Sequence, residues 1–334
     1  MSEKIYIWGE QIPGNSDKSK TDILEIHKEY SNQDLFEKYP GIWDKSSQEL
    51  GDMSGNDTMV YRQEIENGPA GMTYEDKPFL VSHLVEGSDK CVLICPGGAY
   101  LSKSMVEEGE DIAAFLNAAG ISAFVLWYRS YPYRAPFMYL DCQRAIRYLR
   151  YHAKDFGFDP SKIAMVGFSA GGNLVSVTNF LLRNQAVSVE GYQADAIDEM
   201  AASVAGVAGI YPAVAIEDDK IIAVLGSKDI YNTLELRQKF AKKYDVFSNV
   251  QEGDAPLFLC AAIDDEVVPV KPLVRLANIA LGKNIPVELH LFSEGGHGFG
   301  GCIAEQMPQF YHDRTAVKQW KALFVNWLNR LFKR

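Results

Sequence analysis

The chain has 334 residues, 47% of them hydrophobic, and a formal net charge of −11. That composition supplies a large core and excludes global disorder. The acidic balance excludes the basic footprint that a nucleic-acid partner requires. Five cysteines, Cys91, Cys95, Cys142, Cys260 and Cys302, are odd in number and scattered. They match neither a disulfide framework nor the spacing of a zinc site. MSEKIYIWGEQIPG at the start lacks the basic-then-apolar layout of a signal peptide, and no apolar run reaches membrane-spanning length. A cytoplasmic protein without a membrane partner is expected.

Residues 1–75 are polar, with scattered aromatics such as Trp8, Tyr39 and Trp43. They read as an N-terminal extension, an arm or a lid, ahead of a domain over 76–334. From residue 78 the pattern becomes regular. PFLVSHLV (78–85) alternates like a half-exposed strand, and CVLIC (91–95) is the short apolar run of a buried parallel strand. A helix over 105–119 stops at Gly120. A strand follows at 121–128, a helix at 138–155, a strand at 162–167 and a helix at 170–183. Strands at 204–211, 256–263 and 286–292 and helices at 271–282 and 313–333 complete the series. Between them, 213–254 reads as a mixed segment. Such alternation predicts right-handed crossovers and an α/β fold: a mostly parallel central sheet with helices on both faces. In such sheets ligands sit beyond the carboxyl ends of the strands.

Chemistry is therefore expected at the strand ends. Gly167-Phe168-Ser169-Ala170-Gly171 is a G-x-S-x-G pattern between an apolar strand and a helix. This is the setting in which a strained turn presents a nucleophilic serine. A serine needs a base. Of the six histidines, His297 lies directly after the last strand, in the glycine-rich stretch SEGGHGFG (293–300). The base needs an acid to fix its tautomer. Asp264, Asp265 and Glu266 follow the strand at 256–263; Asp265 is the first choice and Asp264 the alternate. The order Ser, Asp, His is that of the α/β-hydrolase arrangement. PGGAY (96–100) ends an early strand, and its glycines let backbone N–H groups approach a developing oxyanion, together with the N–H of Ala170.

Taken together, CPGGAY (95–100), the run at 108–134, DCQRAIRYLRYHA (141–153), DPSKIAMVGFSAGGNL (159–174), DDEVVPV (264–270) and GGHGFG (295–300) resemble the esterase/lipase branch of the α/β-hydrolases. Within it they resemble the bacterial acetyl xylan esterase-like, or sugar-ester hydrolase, family. The resemblance implies the α/β-hydrolase fold and a triad of Ser169, His297 and Asp265. In that family the acid is followed by two residues and then Val-Pro, which selects Asp265. It also implies oxyanion donors at Gly98 and Ala170, and a cap insertion around 213–254, where this chain follows the family only loosely.

The expected activity is hydrolysis of short-chain carboxylic esters, acetyl esters of sugars or other small molecules, through an acyl-enzyme. No metal and no organic cofactor is expected. The partner is a small-molecule ester, with a homo-oligomer as a further candidate. Tyr100, Trp127 and Tyr128 are candidate pocket residues, with Tyr131 and Tyr133 beside them. The alternative reading is an amidase, formamidase or peptidase on the same triad. A non-catalytic hydrolase-like binding protein is the remote one.

Overall fold

The computed structural model describes residues 3–14, 77–100, 103–130, 133–216, 219–226, 228–301 and 314–333. Their centre is one eight-stranded sheet in the order β1-β2-β4-β3-β5-β6-β7-β8. The strands are β1 (Lys4–Tyr6), β2 (Phe79–His83), β3 (Cys91–Cys95), β4 (Ser122–Trp127), β5 (Ile163–Phe168), β6 (Gly206–Ile210), β7 (Leu257–Ala262) and β8 (Val287–Phe292). β2 pairs antiparallel with both β1 and β4; every pair from β4 onward along the sheet is parallel.

The central strands are buried along their whole length, and their side chains divide by parity because successive residues point to opposite faces. In β3, Val92 and Ile94 enter one hydrophobic cluster; Cys91, Leu93 and Cys95 enter the other. Helices cover both faces. Helix α1 (Asp111–Ala118) puts Ile112, Ala113 and Leu116 on the first. Helix α2 (Phe137–Tyr151) puts Met138, Cys142, Ile146 and Leu149 on the second, and α3 (Ala170–Val177) adds Leu174 and Val177 there. The sheet is thus a middle layer with apolar helices on each side, as the alternation of elements predicts.

The segment 213–254 is helical, with α4 (Asp219–Leu225), α5 (Lys228–Asn232) and α6 (Leu234–Lys243). Its buried residues Phe240, Tyr244, Val246 and Phe247 belong to the cluster that holds α2 and α3, and the Tyr244 ring meets Tyr139 of α2 at 5.3 Å. After β7, α7 (Lys271–Gly282) returns the chain to β8. Finally α8 (Trp320–Leu331) packs Trp320, Phe324, Trp327 and Leu328 on the α1 side.

Residues 3–14, at the start of the expected extension, dock on the sheet. β1 pairs with β2 at the sheet edge, Ile7 and Trp8 are buried, and the Trp8 indole N–H donates to Asp141 at 2.9 Å. Arg144 Nε donates to the carbonyl of Ile7 at 2.8 Å and Arg129 Nη1 to that of Pro13 at 2.5 Å. A three-residue edge strand has too few residues to show a period, so the polar composition around it hides its role. The rest of the expected extension, 15–75, lies outside the described residues.

Candidate active site

The carboxyl ends of β3, β5, β7 and β8 each contribute a loop. β5 ends at Phe168, and Ser169 follows with φ 50° and ψ −116°, directly before α3. A non-glycine residue at positive φ stores roughly 1–3 kcal/mol and persists only where the surroundings enforce it. Here the Ser169 N–H donates to the carbonyl of Ile210 at 3.1 Å, and its own carbonyl accepts from Ala213 at 3.0 Å. The flanking glycines are sterically required. A Cβ on Gly167 would lie 2.1 Å from the carbonyl oxygen of Gly171, and one on Gly171 would lie 2.0 Å from that of Cys95. Strand, turn, helix and the loop after β3 therefore touch through bare backbone.

His297 Nε2 lies 2.9 Å from Ser169 Oγ, and its Nδ1 lies 2.7 Å from Asp265 Oδ2. The loop that carries it turns through Gly295, Gly296 and Gly298, all at positive φ, and the carbonyl of His297 accepts from Arg314 Nη2 at 3.0 Å. The Asp265 side chain is fully buried. Its Oδ1 accepts the N–H groups of Val267 and Val268 at 2.9 and 2.8 Å, which turns Oδ2 toward the imidazole. Asp264 serves a different task. It accepts the N–H groups of Gly295 and Gly296 at 3.2 and 2.9 Å and so anchors the histidine loop. The three candidates Ser169, His297 and Asp265 are thus brought into one hydrogen-bonded line, and the alternate acid supports that line from the side.

The loop after β3 lies against the serine. A Cβ on Gly97 would sit 2.8 Å from Ser169 Cβ, and Gly98, Ala99 and Tyr100 all have positive φ. The Gly97 N–H donates to Glu108 Oε2 at 2.6 Å, and Gly98 follows it in the loop. Ala170 is the first residue of α3, where a backbone N–H has no carbonyl one turn back within the helix.

Two residues that the sequence analysis did not single out complete the surroundings. Glu108 is buried within a wide π-turn, Val106–Glu110. Besides Gly97, it accepts the Tyr211 hydroxyl on Oε1 at 2.7 Å. Burial pushes its carboxyl above the usual range, opposed by those two hydrogen bonds and by the field of His297. Tyr211 follows β6 at φ 38°. Its ring meets the His297 ring edge-on at 4.8 Å, and its oxygen accepts the Gly300 N–H at 2.9 Å.

The aromatic pocket candidates are buried. Tyr100, Trp127 and Tyr128 are 1%, 2% and 0% exposed. The Tyr100 hydroxyl donates to Asn173 Oδ1 at 2.7 Å. The Tyr128 hydroxyl donates to the Pro96 carbonyl at 2.7 Å, bracing the loop after β3 from behind. Trp127 stacks on Phe79 at 4.8 Å. Large aromatics at the end of a buried strand fill the space between sheet and helices. Tyr133 is also buried, and Tyr131 lies outside the described residues. Among the described residues, no cluster of three or more His, Cys, Asp or Glu side chains forms a metal site, and no helix is long and apolar enough to cross a membrane.

A mostly parallel sheet with helices on both faces, a strained serine between β5 and α3, and a histidine after β8 define an α/β-hydrolase. The chain belongs to the BD-FAE family, an α/β-hydrolase esterase family whose model matches residues 81–279. It is 24% identical to endo-1,4-beta-xylanase B of Butyrivibrio fibrisolvens over 84% of this chain and 44% of that protein. It is 26% identical to the acetylxylan esterase of Xylanibacter ruminicola over 68% of this chain and 44% of that protein. The chain therefore spans under half the length of these curated relatives. Among solved structures, the acetyl ester-xyloside bifunctional hydrolase of Caldicellulosiruptor lactoaceticus superposes with a TM-score of 0.61 at 30% identity, covering 76% of this chain and 88% of that one.

Proposed function

We propose that the protein is a serine hydrolase of short-chain carboxylic esters acting through an acyl-enzyme. The observation that carries this reading is the unbroken line from Asp265 through His297 to Ser169, at 2.7 and 2.9 Å. In the resting state the Ser169 hydroxyl donates to His297 Nε2, and His297 Nδ1–H donates to Asp265. As Ser169 Oγ attacks the ester carbonyl, His297 takes its proton and the Asp265 carboxylate steadies the imidazolium. The carbonyl oxygen gains negative charge and is met by the N–H groups of Gly98 and Ala170. His297 then passes the proton to the departing alcohol. Water, deprotonated by the same imidazole, attacks the acyl-enzyme, and the acid leaves as Ser169 recovers its proton.

The relatives named for acetylxylan and acetyl ester-xyloside hydrolysis support acetyl esters of sugars as the substrate class.

The test is a panel of p-nitrophenyl esters from acetyl to octanoyl, acetylated xylosides, and matched anilides, run with wild type and Ser169→Ala. Fastest turnover of acetyl esters, little on anilides and none with Ser169→Ala is expected. Preference for the anilides, or full activity in Ser169→Ala, overturns the reading.

A further inference from the structure

We infer that Glu108 is a positioning residue for the esterase chemistry, coupling the oxyanion loop to the histidine loop through Tyr211. This inference rests on the ester-hydrolase reading above. The machinery stands on separate loops: Gly98 after β3, Ser169 after β5 and His297 after β8. Nothing in the covalent chain holds the first to the last at hydrogen-bond precision. Glu108 and Tyr211 do. Gly97 N–H donates to Glu108 Oε2 at 2.6 Å, the Tyr211 hydroxyl donates to Oε1 at 2.7 Å, and Gly300 N–H donates to the Tyr211 oxygen at 2.9 Å. Gly97 adjoins Gly98, and Gly300 lies three residues beyond His297.

The donor directions are fixed. A backbone N–H can only donate, so Gly300 obliges the Tyr211 oxygen to accept, and the phenolic proton points to Glu108. Glu108 thus faces two donors with two acceptor oxygens, a match that only a carboxylate supplies. In the π-turn Val106–Glu110, Glu108 and Gly109 are the buried residues, four residues ahead of Ile112 and Ala113, the buried pair that opens α1. A buried carboxylate carries a desolvation cost that an apolar residue would not. The cost is offset here by bonds that fix the loop beside Ser169 and the ring beside His297.

Glu108→Gln tests this with little change in size. An amide has one acceptor, so its NH2 must confront either Gly97 N–H or the Tyr211 hydroxyl. Tyr211→Phe removes one hydroxyl and serves if Glu108→Gln does not fold. Wild type, both single variants, the double variant and Ser169→Ala are assayed with p-nitrophenyl acetate. Each single variant is expected to lose about 10- to 100-fold in kcat with KM changed less than about twofold, as for an interaction that matters in the transition state. The inhibition constant of a trifluoromethyl ketone, whose serine adduct carries an oxyanion, is expected to rise by the same factor. The double variant is expected to lose no more than the worse single one, because the residues act as one unit. Wild-type kcat in both single variants overturns the inference, as does a loss confined to melting temperature or KM. Multiplying losses in the double variant overturn it too. Ser169→Ala separates the two failures: full activity there sinks the esterase reading itself, whereas an inactive Ser169→Ala beside a fully active Glu108→Gln sinks only this inference.

Discussion

Gly171→Ala is the most informative single methyl group to add to this protein. Its Cβ would stand 2.0 Å from the carbonyl oxygen of Cys95 and 2.6 Å from that of Pro96. Both are backbone atoms, so no side chain can swing aside. Reaching a tolerable contact means opening α3 from the loop after β3 by about 1 Å, because repulsion is steep below van der Waals distance. Overpacking of this kind costs ~1–3 kcal/mol, and alanine returns up to ~1 kcal/mol of helix propensity over glycine. The net stability loss is therefore ~0–2 kcal/mol, which a folded domain survives. Activity suffers more. The displaced loop carries Gly97 and Gly98, and a shift of about 1 Å in catalytic geometry costs ~10²-fold in rate. The assay pairs p-nitrophenyl acetate kinetics with urea unfolding. Gly282→Ala, where nothing lies within 4 Å of the added carbon, is the control, and it should change stability by less than ~0.5 kcal/mol and leave kcat/KM unchanged. Wild-type kcat/KM in folded Gly171→Ala would refute the claim that close backbone contact sets the oxyanion geometry.

Asp265→Asn should stay folded yet lose ~10⁴-fold in kcat. The N–H groups of Val267 and Val268 hold the side-chain oxygen on their side, so the new NH2 faces His297 Nδ1 and imposes the wrong tautomer. Asp264→Asn keeps one acceptor for Gly295 and Gly296; its loss should be near 10-fold, roughly the 1–2 kcal/mol of one buried hydrogen bond. A larger loss for Asp264→Asn than for Asp265→Asn in steady-state kinetics would reverse their roles. Trp8→Ala should lower unfolding free energy in urea by ~3–5 kcal/mol, since the ring is buried and its N–H is bonded to Asp141; a change below ~1 kcal/mol would show that this contact does not stabilise the domain. Asp141→Ala should cost ~3–5 kcal/mol in the same measurement, because it removes the carboxylate that pairs with the Arg129 guanidinium, both side chains being 0% exposed.

The sheet was legible because its strands are buried on both faces, which writes them as short uninterrupted apolar runs: CVLIC became β3 without a shift of boundary. Ser169, His297 and Asp265 were legible because each follows a strand end and carries a local signature, glycines around the first two and an acidic turn for the third. Glu108 was not. It sits in Glu107-Glu108-Gly109-Glu110-Asp111, a charge run whose composition does not tell the one buried acid from its neighbours. Tyr211 closes an apolar strand and looks like packing until its hydroxyl is placed between Glu108 and Gly300. The aromatic candidates show a different limit. Tyr100, Trp127 and Tyr128 lie near the functional ends of their strands, yet nearness in sequence does not say whether a ring faces solvent or core.

The central claim is that Ser169 forms the acyl-enzyme. Acid-quenched mixtures of the protein with p-nitrophenyl acetate, digested and sequenced by mass spectrometry, test it directly. An acetyl group on the Ser169 peptide is predicted, with a fluorophosphonate adduct at the same oxygen and neither adduct in Ser169→Ala. Turnover with acetyl found only on another residue, or an adduct that survives in Ser169→Ala, would contradict it.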